Sequence, residues 1–198
     1  MAVSATPANR RSALSLPNIL TYGRLVATPV VVGLMFWPQV AAMRWVAVGV
    51  FAVAAITDFF DGYLARAWAQ HSSFGRMLDP IADKLLVAGA LLALVADGTI
   101  RGFSLWAAVI ILCREILVSG LREYLAELRV PVPVTRVAKW KTAAQLVAIG
   151  FLLAGPAGAA VFTAAPTVGL ALLWVAAILT LYTGWDYMRA GVAHAGAE

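Results

Sequence analysis

Four aspartates stand close together in an otherwise apolar chain: Asp58 and Asp61, then Asp79 and Asp83. The chain holds only ten acidic residues. A carboxylate at the centre of a membrane helix costs roughly 2.5 to 3.5 kcal/mol, so four left facing lipid would cost on the order of 10 kcal/mol. They must instead face a hydrated or cation-filled cavity. Converging carboxylates without His or Cys among them make a hard-oxygen site, suited to Mg²⁺ or Mn²⁺ rather than zinc. Four negative charges are best balanced by two divalent ions. Such a pair can clamp a pyrophosphate and stabilise in-line displacement at phosphorus.

Helical spacing explains how the acids could meet. Asp58, Asp61 and Ala65, three and four residues apart, share one face of a helix, and Asp79 and Asp83 lie one turn apart on the next. Gly75 and the polar run at 70–73 read as a short turn between them, folding the two pairs into an antiparallel hairpin. Two other readings of these acids are ion pairing with Arg66, Arg76 and Lys84 at a solvated helix end, and a cation path through a transporter. Against the transporter, the acids cluster toward one side, and Asp97 alone stands opposite.

The rest of the chain supplies membrane helices. With 62% hydrophobic and 13% charged residues in 198, it reads as an all-α integral membrane protein, a single bundle of six transmembrane helices around a cytoplasm-facing polar cavity. The predicted spans are 19–37, 45–65, 81–96, 103–121, 143–153 (extended at both ends) and 167–187. Residues 1–16 form an N-terminal cytoplasmic or interfacial segment, 17–189 the membrane domain and 190–198 a tail. Arg10 and Arg11 precede a short apolar patch stopped by Pro17, so this end reads as retained rather than cleaved. Arg66, Arg76, Lys84, Arg122, Arg129, Arg136, Lys139, Lys141 and Arg189 join Arg10 and Arg11 at one set of span ends, whereas the opposite loops carry only Arg44 and Arg101. The positive-inside rule places both termini and the acids in the cytoplasm. Basic residues at membrane ends also account for the net charge of +5 without nucleic acid. Trp37, Trp45, Trp106, Trp140 and Trp185 near span ends read as interfacial anchors. Cys113, the one cysteine, reads as a buried small hydrophobe.

The spacing Asp58-x2-Asp61-Gly62-x2-Ala65-Arg66-x8-Gly75-x3-Asp79-x3-Asp83 resembles the signature of the CDP-alcohol phosphatidyltransferases at every defined position. That resemblance implies an enzyme with a six-helix membrane fold, a homodimer in the bacterial cytoplasmic (inner) membrane, acting in phospholipid biosynthesis. It implies two divalent ions, Mg²⁺ or Mn²⁺, held by Asp58, Asp61 and Asp79, with Asp83 as general base and a further metal contact. It implies a CDP-lipid site formed by Asp58, Gly62, Ala65, Arg66 and Gly75.

Three further stretches, at 17–24, 114–123 and 139–145, are similar to bacterial members of the family whose acceptor is sn-glycerol 3-phosphate. The first adds Asn18 and Thr21 to the CDP-lipid site. The implied reaction moves the phosphatidyl group of CDP-diacylglycerol to that acceptor and releases CMP. Phosphatidylglycerol or inositol phosphate are the competing acceptors. A dianionic phosphate calls for several cationic donors, and Arg114, Arg122, Lys139 and Lys141, with Arg24 in the first span, are the candidates. Lys139 and Lys141, two apart, cannot share a helix face, and Lys139 and Arg122 rank ahead of Lys141. Arg24 reads as neutralising either phosphate or the carboxylates. His71 in its polar turn and His194 in the tail read as solvated.

Overall fold

The structure is a computed structural model that describes residues 16–68, 73–128 and 136–195. Among these residues six α-helices follow in order: α1 Leu16–Leu34, α2 Ala41–Trp68, α3 Ser73–Ala96, α4 Leu105–Glu127, α5 Arg136–Val161 and α6 Ala165–Ala195, with a 3₁₀ turn Gly102–Ser104 before α4. No strand occurs among the described residues. The protein is an all-α membrane protein. Gly102–Ala126, Trp140–Val161 and Ala165–Trp185 are long and apolar enough to cross a bilayer, while Asn18–Leu34 and Ala41–Thr57 are shorter apolar stretches.

The helices outrun the apolar runs that announced them. α3 begins at Ser73, so it includes Asp79 as expected, but Gly75 is helical too and does not form the expected turn. α5 runs Arg136–Val161, extending the apolar run at 143–153 at both ends as expected. An apolar run marks the depth of hydrocarbon, whereas helical hydrogen bonds continue into the polar zone. α2 shows the same effect. Its apolar part stops at Thr57, one residue before Asp58, and the helix continues for about three more turns to Trp68.

The described residues form two compact units, divided after Ala90. In the first, α1 packs along α2. The buried side of α1 carries Asn18, Thr21, Arg24, Ala27 and Val31, a stripe of three- and four-residue steps, and α2 buries Ala47, Phe51 and Ala54. At Gly89 of α3 a Cβ would lie 2.8 Å from the Thr28 methyl of α1, so glycine permits the close approach. Arg44 is buried, and its Nε donates to the Pro38 carbonyl at 2.6 Å, closing the α1–α2 connection.

In the second unit α6 packs against both α5 and α4, around Ile111, Ile149, Leu152, Leu153 and Leu173. A Cβ at Gly169 would come within 2.9 Å of Leu152 Cγ, which brings α5 and α6 close. α5 kinks at Gly155, whose φ of 46° and ψ of −127° suit a residue without a Cβ, and Pro156 resumes the helix as a first-turn residue lacking a donor. Cys113 is exposed, not buried as its apolar neighbours suggested. Trp37, Trp45, Trp106, Trp140 and Trp185 are all exposed, as expected of membrane-interface anchors.

Candidate functional site

In the first unit a polar residue of α1, Arg24, reaches α3. Asn18, Thr21 and Arg24 repeat every three residues and are all buried. The Arg24 guanidinium, 1% exposed, donates through Nη1 to the Asp83 carboxylate, which is 43% exposed. A nearly inaccessible cation thus holds an accessible anion, fixing one carboxylate oxygen while leaving a large part of the group open. Thr28 Oγ1 donates to the Arg24 carbonyl at 3.2 Å. One turn before Asp83, Pro80 has no N–H, and its carbonyl accepts from Lys84 Nζ at 3.0 Å. A cavity of about 460 Å³ between α1 and α2 is lined by Arg24, Ala27, Val30, Gly49, Val53 and Thr57 among others, and so reaches the residue that precedes Asp58.

Asp58, Asp61, Gly62, Ala65 and Arg66 lie on the last turns of α2, and Gly75 and Asp79 on the first turns of α3. Their side chains are outside the described residues, as are His71 and the side chain of Lys139. Among the described residues no three His, Cys, Asp or Glu groups converge to hold a metal. The helical backbone does keep each acid pair one turn apart, three residues in α2 and four in α3.

In the second unit a buried polar network joins three helices. Arg114 of α4 donates from Nε to the Thr180 carbonyl at 3.1 Å and from Nη2 to Thr183 Oγ1 at 2.9 Å, both on α6. Its Nη1 lies 3.8 Å from Glu115 Oε1, although sequence neighbours point apart on a helix; the long side chains curl back toward each other. The same Glu115 oxygen accepts from Lys141 of α5, whose side chain is 4% exposed. Arg114 and Arg122 both lie within electrostatic range of Lys141, so three of the cations proposed from the sequence share one region. Arg122 itself is exposed. Gln145, one turn after Lys141, is buried with its Oε1 unpartnered among the described residues.

Sequence reading missed Thr180, Thr183 and Gly184. The signal was present: two hydroxyls one turn apart in an apolar span, followed by a glycine, are a polar stripe that lipid would not favour.

Residues 14–182 match the family model of CDP-alcohol phosphatidyltransferase. A Cereibacter sphaeroides protein is 41% identical over 208 residues, covering 88% of this chain and 94% of its own. A Rickettsia bellii protein is 44% identical over 176 residues, with 89% and 94% covered. A Pseudomonas fluorescens protein is 43% identical over 187 residues, with 91% and 92% covered. All three are named CDP-diacylglycerol–glycerol-3-phosphate 3-phosphatidyltransferase.

Proposed function

The chain belongs to the CDP-alcohol phosphatidyltransferase family, and from that premise we propose that it transfers the phosphatidyl group of CDP-diacylglycerol to sn-glycerol 3-phosphate. The products are phosphatidylglycerol phosphate and CMP. The observation that carries this reading is full-length similarity: relatives 41–44% identical, each matched over more than nine-tenths of its length, bear that activity in their names.

The reaction is a displacement at phosphorus. The 1-hydroxyl of the acceptor attacks the lipid-side phosphorus, an O–P bond forms, the bond to CMP breaks, and the hydroxyl proton passes to Asp83. Arg24 orients Asp83, because the buried guanidinium holds one oxygen of that side chain. Alignment of the hydroxyl with phosphorus is the protein's main contribution beyond charge. Arg66 meets the phosphates of the nucleotide, and Gly62, Ala65 and Gly75, with Asn18 and Thr21, let backbone and small groups approach it.

Asp58, Asp61, Asp79 and Asp83 fit hard divalent ions: the donors are all carboxylates, and helical backbone spaces both pairs by one turn. When bound, Mg²⁺ or Mn²⁺ supplies charge neutralisation at the pyrophosphate and the departing CMP. Arg114, Arg122, Lys139 and Lys141 receive the acceptor phosphate. In this reading residues 17–189 form one six-helix domain, a homodimer in the bacterial inner membrane with both termini and the polar cavity on the cytoplasmic side.

Purified protein in lipid nanodiscs, given CDP-diacylglycerol and Mg²⁺ or Mn²⁺, is assayed for CMP release with a panel of acceptors. Release with sn-glycerol 3-phosphate, lost on chelation, is expected. Release with phosphatidylglycerol or inositol phosphate instead would replace the acceptor, and metal-driven flux across vesicles without CMP release would replace the reaction class.

A further inference from the structure

We infer that the middle of α6, from Thr180 to Gly184, is a positioning element that holds the Arg114 guanidinium for the acceptor phosphate. The inference rests on the proposed reaction and on Arg114 as a phosphate ligand, and adds residues outside the recognised motifs.

An arginine inside an apolar span needs partners that lipid does not supply. Arg114 takes them from one short stretch of α6. The Thr180 carbonyl accepts from Nε at 3.1 Å. In a helix that carbonyl also serves the N–H of residue 184, so its second lone pair is the one available to arginine. Thr183 Oγ1 accepts from Nη2 at 2.9 Å. A hydroxyl has one proton, and that of Thr183 is directed back along its own helix, with the Leu179 carbonyl at 2.9 Å and the Thr180 carbonyl at 3.2 Å. The hydroxyl is therefore set as an acceptor toward α4. Thr180 and Thr183 are both buried, so no water replaces them readily.

Gly184 supplies the space. A Cβ there would lie 3.3 Å from Arg114 Cγ and 3.5 Å from Arg114 Nε, so any side chain would push the arginine stem by a few tenths of an ångström. Two hydrogen bonds on adjacent nitrogens fix both the position and the plane of a guanidinium, and a planar fork is useful for phosphate only when its plane is fixed. Nη1 is turned toward Glu115, on the side where Lys141 joins the network. Thr183 and Gly184 are thus positioning residues acting through Arg114.

The test uses the full chain in nanodiscs, with CMP release measured against glycerol 3-phosphate and, separately, against CDP-diacylglycerol. Thr183→Val keeps the branched shape and removes the acceptor; Thr183→Ser restores it. The expected result for Thr183→Val is a rise of about tenfold or more in KM for glycerol 3-phosphate, the scale of one hydrogen bond to a charged group. KM for the lipid should stay within about twofold, and Thr183→Ser should recover most of the loss. Gly184→Ala should move the same KM in the same direction. The unchanged lipid KM serves as the fold control for each variant. Wild-type turnover with an unaltered acceptor KM in Thr183→Val, an equal rise in both KM values, or no recovery by Ser overturns the inference alone. A wild-type protein that fails to release CMP with glycerol 3-phosphate overturns the proposed reaction, and the inference with it.

Discussion

The Glu115–Lys141 pair offers an asymmetric test of how the α4–α5–α6 network is held. Lys141 is 4% exposed and Glu115 21%, and Glu115 also lies 3.8 Å from Arg114. Replacing Lys141 by Met leaves a carboxylate that still has Arg114 nearby and some access to water. Replacing Glu115 by Leu removes the carboxylate from both cations and strands a buried ammonium. Breaking a buried pair from the side that leaves an uncompensated charge costs about 3–5 kcal/mol. At about 2–4 °C per kcal/mol for a chain of this size, Glu115→Leu should lower the thermal midpoint by roughly 6–20 °C. Lys141→Met should cost about 1 kcal/mol, or roughly 2–4 °C. The double variant, with both charges gone and volume largely kept, should lie closer to wild type than Glu115→Leu alone. Midpoints are read by circular dichroism on protein in one detergent without substrates, so that ligand binding plays no part. Equal shifts for the two single variants, or a double variant whose shift is their sum, would refute the reasoning.

Asp83→Asn keeps the shape of the side chain and loses its basicity, so CMP release should fall below detection while CDP-diacylglycerol still binds; near-normal turnover would remove Asp83 from the base role. Arg122→Ala should raise KM for glycerol 3-phosphate much more than KM for the lipid, and equal effects would assign Arg122 a structural part instead. Gly155→Ala forces a Cβ into a φ of 46° and should lower stability by about 1–2 kcal/mol, seen as a drop of a few degrees in midpoint. An unchanged midpoint there would mean that the kink relaxes without strain.

The aspartates were legible because they violate their surroundings. Charges break an apolar run sharply, so the ends of α2 and α3 stand out in the sequence. The same contrast misplaced the turn between them. Ser73 and Gly75 look like part of a connection because one is polar and the other a glycine, yet both are helical. Polarity there reports the membrane boundary and not the end of the hydrogen-bonded turns. The Arg114–Thr183 contact was out of reach for a different reason. It joins positions 69 apart, and no local pattern in either segment names the other.

Cys113 exposes the deeper difficulty, and also the remedy. In water an apolar residue gains by burial, so apolar neighbours argue for a core. In a bilayer lipid is as apolar as leucine, and apolarity no longer separates inside from outside. Val26, Val53, Leu92, Ile116 and Ile178 are each more than 60% exposed, where a soluble protein would tend to bury them. Beside its apolar core the buried set includes Asn18, Thr21, Arg24, Lys141, Gln145, Thr180 and Thr183. Within the spans, the polar side chain is the one that requires protein partners, because hydrocarbon offers it none. Reading the spans for polar residues at one-turn spacing picks out 18, 21 and 24 on α1 and 180 and 183 on α6. The first trio leads to Asp83 through Arg24, and the second pair to the acceptor cations through Arg114.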